Sequence, residues 1–272
     1  MKTLISLLCL LGTLAPGAFS QTARRVDPQL EHRQFTVEGV VRETLVYVPT
    51  SAHSKATPMV FIFHGHGGNA TNAARSFATH RYWPEAIAVY PQGLKTPGRL
   101  TDPEGKRSGW QQRLGDQGDR DLKFFDVVLA KLKSDFKVNT KRVFSTGHSN
   151  GGAFTYLLWE TRGEVLTAVA PSAAAGLFWE KLKLKPKPVL HLAGENDTLV
   201  KYEWQQRTME MVRKINRCEP DGKPWEGKLT GPGVCTLYES KTGSPFVSFI
   251  HPGGHGFPAA GPELIATFFQ RF

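Results

Sequence analysis

Short apolar runs alternate along this chain with stretches whose apolar positions return every three to four residues. The first pattern predicts strands buried on both faces, and the second predicts helices with one buried face. Residues 35–37 and 45–48 read as an opening hairpin whose turn holds Gly39. Residues 59–63 form a central strand, 72–80 a helix and 87–90 the next strand. A periodic helix over 121–136 leads into a strand over 142–146, and residues 152–159 form an apolar helix. Later come a strand over 188–194, a helix from near Tyr202, a strand over 246–250 and a closing helix over 263–269. Such alternation implies an α/β fold with a mostly parallel central sheet and helices on both faces. Between them, residues 93–118 turn to glycine, proline and charge for longer than a simple connection needs, as functional or disordered loops do.

The start of the chain belongs to another pattern. Lys2, an apolar run over residues 4–14 and Ala18-Phe19-Ser20 describe a secretory signal peptide, cut before Gln21, and its apolar core is too short to span a bilayer comfortably. The expected organisation is a signal peptide at 1–20 and a single domain at 21–272, secreted to the periplasm or beyond, with no membrane span. Cys9 leaves with the signal, so Cys218 and Cys235 are expected to pair as a disulfide, closing a loop whose constraint is worth about 3 kcal/mol in the chain-entropy account. A zinc site lacks further cysteines or a suitably spaced histidine pair.

The formal net charge of +10 invites a nucleic-acid reading, and Lys181, Lys183, Lys185 and Lys187 form the densest basic run. No nucleic-acid-binding motif accompanies them, so a solvated basic face is expected and no nucleic-acid partner.

The chemistry concentrates at Gly147-His148-Ser149-Asn150-Gly151, a G-x-S-x-G pattern between a strand and a helix. A serine on so tight a turn has its hydroxyl lifted clear of the sheet, and the flanking glycines avoid collisions with neighbouring elements. The pattern is weak alone, but an acid and a histidine follow in the right order. Asp197 falls just beyond the 188–194 strand, where open α/β sheets gather ligand sites, although a turn or helix-capping role is the plain alternative. His255 lies in a glycine-rich loop after the 246–250 strand. Serine, aspartate, histidine is the chain order of an α/β-hydrolase.

With these residues stand His64-Gly65-His66-Gly67-Gly68-Asn69, Tyr90-Pro91-Gln92-Gly93, Ser108-Gly109-Trp110 and Gly254-His255, spread over most of the expected mature chain. Together they resemble the secreted polyhydroxybutyrate depolymerase and feruloyl-esterase-like branch of the α/β-hydrolases. The resemblance implies Ser149, Asp197 and His255 as a catalytic triad, with an oxyanion hole near His66. Its donors are expected to be the N–H groups of Asn150, which heads the helix, and His66, with Gly67 as the second choice. The chain carries no linker or polymer-binding module after the His255 loop, unlike depolymerases of crystalline polyester, so soluble short-chain hydroxyalkanoate, feruloyl, acetyl or aryl esters are the expected substrates.

Trp110 is read as an aromatic wall of the acyl or alcohol pocket or as surface packing, and His148 as a pocket-lining residue. His191 is expected to be packed in the core. His64 and His66 lack a third ligand, so no metal or other cofactor is expected, and a monomer is. A serine peptidase on the same fold and a non-catalytic binding protein are the competing classes.

Overall fold

A computed structural model of the chain describes residues 27, 29–176, 184–225 and 231–272. The expected signal peptide, Lys181 and Lys183 lie outside the described residues.

In chain order the strands are β1 (Glu31–Val37), β2 (Val40–Tyr47), β3 (Thr57–Phe63), β4 (Ile87–Pro91), β5 (Leu94–Lys95), β6 (Ser108–Gly109), β7 (Val138–His148), β8 (Ala168–Ser172), β9 (Val189–Gly194), β10 (Lys223–Pro224), β11 (Val234–Tyr238) and β12 (Phe246–His251). The helices are α1 (Ala70–Phe77), α2 (Thr79–Tyr82), α3 (Arg120–Asp135), α4 (Asn150–Arg162), α5 (Tyr202–Ile215) and α6 (Gly261–Gln270). Ten strands form one sheet in the order β1-β2-β4-β3-β7-β8-β9-β12-β11-β10. Strands β4 to β12 in that order run parallel, and antiparallel pairs flank them at both edges. This is the α/β-hydrolase architecture.

The central strands are apolar throughout because each is covered twice. Along β3, Met59, Phe61 and Phe63 face one core, which also holds Phe125 from α3, Phe154 from α4 and Val212 from α5. Val60 and Ile62 face the other, with Phe77 from α1 and Leu264 and Phe268 from α6. The helix expected over 72–80 is broken at Ala78, whose left-handed backbone (φ 44°) ends α1 and starts α2. The 93–118 excursion is a built structure. Strands β5 and β6 pair within it, and the buried Asp121 carboxylate accepts from Gln111 N (2.9 Å) while pairing with buried Arg42 (2.8 Å). No helix among the described residues is long and apolar enough to cross a membrane.

The expected disulfide is not formed: Cys218 and Cys235 are both free thiols. The sheet separates them. Cys235 on β11 points into the core shared with Phe249 and Trp225, whereas Cys218 packs against the opposite core. Burial raises the pKa of both thiols, that of Cys235 to about 11.

Candidate active site

The turn from β7 into α4 places Ser149 at φ 56° and ψ −119°, a conformation an L-residue adopts only under constraint. The constraint is close packing: a Cβ at Gly147 would collide with the Gly151 carbonyl, and one at Gly151 with the Phe63 carbonyl of β3. The Ser149 N–H donates to Ser172 O at the end of β8 (2.8 Å).

Asp197 and His255 come from the loops after β9 and β12, adjacent parallel strands in which Gly194 stands opposite His251. The two loops touch through their backbones. A side chain at Gly194 would strike the carbonyls of Gly253 and Gly254, and Asn196 is tied across by its backbone N–H to Gly253 O (3.1 Å) and its amide to Pro252 O (2.7 Å). His255 Nδ1 thereby lies 2.8 Å from Asp197 Oδ2, and His255 Nε2 lies 2.8 Å from Ser149 Oγ. Because the carboxylate only accepts, Nδ1 carries the proton and Nε2 is free to accept from the serine hydroxyl. The Asp197 side chain is fully buried, and that of His255 is 24% exposed.

The two readings of Asp197 divide between its oxygens. Oδ1 accepts from Leu199 N and Val200 N, both at 3.0 Å, which is the turn role, while Oδ2 takes the imidazole. Two other acids near this stretch of chain, Glu195 and Asp221, are exposed.

On the other side of Ser149 runs the loop after β3. Gly65 lies so close that a Cβ there would be 3.6 Å from the serine Cβ. The Gly67 N–H, the second-choice oxyanion donor, is already given to Ser108 O (2.7 Å). His64 is buried, with Nδ1–H donating to Gly65 O (2.8 Å) and Nε2 accepting from Gly93 N (3.0 Å). Burial holds His64 neutral, with its pKa pushed down to about 4. His66 Nε2 donates to Asp102 Oδ2 (3.2 Å), and the same oxygen accepts from Arg107 N (2.7 Å).

Trp110 departs from its expected place. It is completely buried, neither pocket wall nor surface, stacked on Phe154 (5.5 Å) and edge-on to Phe63 (5.1 Å). Its indole N–H donates to His64 O (2.9 Å), and its backbone N–H and carbonyl are clamped by the Asn150 side chain (2.7 and 3.0 Å). Trp110 therefore ties the β3 loop to the first residue of α4. The Asn150 N–H, at that helix start, has no partner within its own helix. His148 lies against the His255 ring (5.1 Å between centroids) and edge-on to Phe257, and its Nδ1 is 3.2 Å from Ser172 Oγ. Burial, and then the neighbouring His255, lower its pKa to about 4.

Sequence reasoning missed Gln205, whose amide donates to Asp197 Oδ2 (2.9 Å). A signal existed: Gln205 shares the buried face of α5 with Thr208, Met209 and Val212, where a polar residue is out of pattern.

The sequence model of the dienelactone hydrolase family matches residues 43–218, more than half of the chain. The chain belongs to the dienelactone hydrolase family. Among its relatives, a probable feruloyl esterase C of Aspergillus clavatus is 25% identical over 259 residues, covering 93% of this chain and 90% of that protein. The bifunctional acetylxylan esterase/xylanase XynS20E of Neocallimastix patriciarum is 24% identical over 183 residues; the match takes in 66% of this chain but only 25% of that much longer protein. Among solved structures, acetyl xylan esterase from Aspergillus awamori shares the fold with a TM-score of 0.63 at 13% identity, over 88% of this chain and 99% of the other. This member of the dienelactone hydrolase family is a carboxylic ester hydrolase.

Proposed function

We propose that the chain is a secreted serine esterase that cleaves feruloyl, acetyl and related short-chain hydroxyalkanoate or aryl esters through an acyl-enzyme. The observation that carries this reading is the unbroken hydrogen-bonded path from Ser149 Oγ through His255 to the buried Asp197, assembled from three separate loops. The pattern of residues 1–20 supports export, with one catalytic domain following. The names of the curated relatives support feruloyl and acetyl groups as the acyl part.

In this mechanism Ser149 Oγ attacks the ester carbonyl while its proton passes to His255 Nε2. Asp197 stays ionised, keeps the imidazole in the required tautomer and stabilises the imidazolium. The N–H groups of His66 and Asn150 receive the developing oxyanion, and losing one such donor typically costs about 100- to 1,000-fold in turnover. Collapse expels the alcohol, which takes the proton from His255. Water then attacks the acyl-serine by the same route in reverse, releasing the acid and regenerating Ser149. His148, packed against His255 with Phe257 edge-on behind it, lines the acyl approach.

The test is Ser149→Ala, assayed on acetyl and feruloyl esters and on matched amides, with fluorophosphonate labelling of the wild type. Ester turnover should fall at least about 10⁴-fold in a folded variant, and the label should sit on Ser149. Labelling elsewhere, or a folded variant that keeps more than a few per cent of the activity, would refute the assignment. Faster amide than ester cleavage would make the enzyme a peptidase.

A further inference from the structure

Polar contacts continue behind Asp197 into the core. Gln205 Nε2 donates to Asp197 Oδ2 (2.9 Å) and to Val200 O (2.7 Å), and Gln205 Oε1 faces His191 Nε2 at 3.2 Å. His191 Nδ1 lies 2.7 Å from the Tyr156 hydroxyl. Gln205 and His191 are entirely buried and Tyr156 is 1% exposed. Each comes from an element that carries or adjoins a triad member: Tyr156 is on α4, which Ser149 begins; His191 is on β9, which leads to Asp197; Gln205 is on α5, which follows it.

The donors in this chain have one direction. An amide nitrogen only donates, so it faces the carboxylate and the Val200 carbonyl, and Oε1 faces His191. His191 must then carry its proton on Nε2, which leaves Nδ1 bare to accept from the Tyr156 hydroxyl. Burial keeps the imidazole neutral, with a pKa lowered to about 4, and holds the phenol protonated well above its ordinary range. The donors from Tyr156 through His191 to Gln205 thus run in sequence toward Asp197, ending on the oxygen that also accepts from His255 Nδ1–H, while the second amide N–H of Gln205 goes to Val200 O. A reversed amide would set Gln205 Oε1 against two acceptors. Buried polar chains of this kind are costly unless complete, and apolar side chains would fill the space without that risk.

We propose that Gln205 is a positioning residue that holds the Asp197 carboxylate in the rotamer whose Oδ2 meets His255, and that His191 and Tyr156 keep its amide from reversing. The proposal rests on the triad assignment above. It predicts losses in kcat that fade outward along the chain and leave substrate binding alone, because none of the three residues touches the ester.

The experiment measures kcat, KM, fluorophosphonate labelling rate and melting temperature on the full chain with a soluble aryl acetate. Gln205→Met should lower kcat and labelling about 10- to 100-fold, as misplaced supporting groups do, with KM within about twofold. His191→Leu should lose less, and Tyr156→Phe about two- to threefold, on the same pattern. His191→Gln, which restores an N–H toward Gln205 Oε1, should recover most of what His191→Leu loses. Adding His191→Leu to Gln205→Met should cost little more, since His191 acts through the amide. A folded Gln205→Met with wild-type kcat, or one whose defect lies in KM, overturns the proposal. If Gln205→Met does not fold, the histidine pair decides: equal kcat in His191→Leu and His191→Gln overturns it. Ser149→Ala is run alongside. Residual activity there removes the triad reading and this proposal with it, whereas an inert Ser149→Ala beside a fully active Gln205→Met removes only the proposal.

Discussion

Asp197, on one side of Ser149, is held by directed side-chain hydrogen bonds, its two oxygens taking four donors from Leu199, Val200, Gln205 and His255. The loop of residues 64–67, on the other side, is hydrogen-bonded as well, but it is also packed so closely that there is no room for added side chains. A Cβ at Gly109 would lie 2.5 Å from His66 Nδ1 and 2.9 Å from Asn150 Oδ1, and one at Gly68 would lie 2.9 Å from Gly65 O. His66 Nδ1 is buried there without a hydrogen-bond partner among the described residues. Asp197 is thus placed by hydrogen bonds, whereas the 64–67 loop depends in addition on the absence of atoms. One side should respond to loss of a donor or a charge, the other to gain of a methyl group.

The largest effect should come from the acid side. Asp197→Asn keeps the shape but presents an N–H or a weaker acceptor to His255, and kcat should fall about 10⁴-fold with the melting temperature nearly kept. Glu195→Gln, at an exposed neighbour, should leave kcat within about twofold; a greater loss there than at Asp197 would misplace the acid.

Next, Gly109→Ala should lower kcat about 100-fold by moving His66 or Asn150, and it should also cost about 1–3 kcal/mol of stability from overpacking. Steady-state kinetics and thermal melts on one sample distinguish the two sides: chemistry without stability for Asp197, both together for Gly109. Wild-type values for Gly109→Ala would mean that the loop tolerates the methyl and is not held by shape.

The smallest effect is shared by both sides. His64 on the loop side and His191 on the acid side each have pKa values lowered to about 4 by burial. An unfolded histidine titrates near 6.5, so between that pH and about 4 the unfolded chain binds more protons than the folded one. Stability should therefore fall as pH drops through this window. Melting temperatures from pH 7 to pH 4.5 should show a shallower decline in His64→Gln and in His191→Gln than in the wild type. An unchanged decline in both would mean that other groups govern the acid sensitivity.

How much of this was legible in the sequence follows the same division. Strands β3, β4, β9 and β12 were plain because burial on both faces forces a continuous apolar run. Strand β8, alanine-rich with Pro171 near its end, has little strand propensity and is held by neighbours on both sides. The break at Ala78 follows from packing that no local pattern records. That Ser149, Asp197 and His255 should meet could be expected from motif and order, because strand ends and sharp turns leave marks in glycine. Trp110 could not. A tryptophan in a glycine- and charge-rich stretch looks exposed until the stretch folds back onto Phe154 and Asn150. The cysteines misled for a related reason: spacing along the chain says nothing about which face of a sheet each thiol takes.

The backbone at Ser149 has a consequence for how this molecule can change over time. A non-glycine residue held at φ 56° and ψ −119° costs about 1–3 kcal/mol. Glycine would relieve much of that, so, if Ser149 is the nucleophile proposed above, a descendant freed from the need to hydrolyse esters would gain stability by discarding it. A copy of the protein recruited to mere binding should therefore lose this serine early.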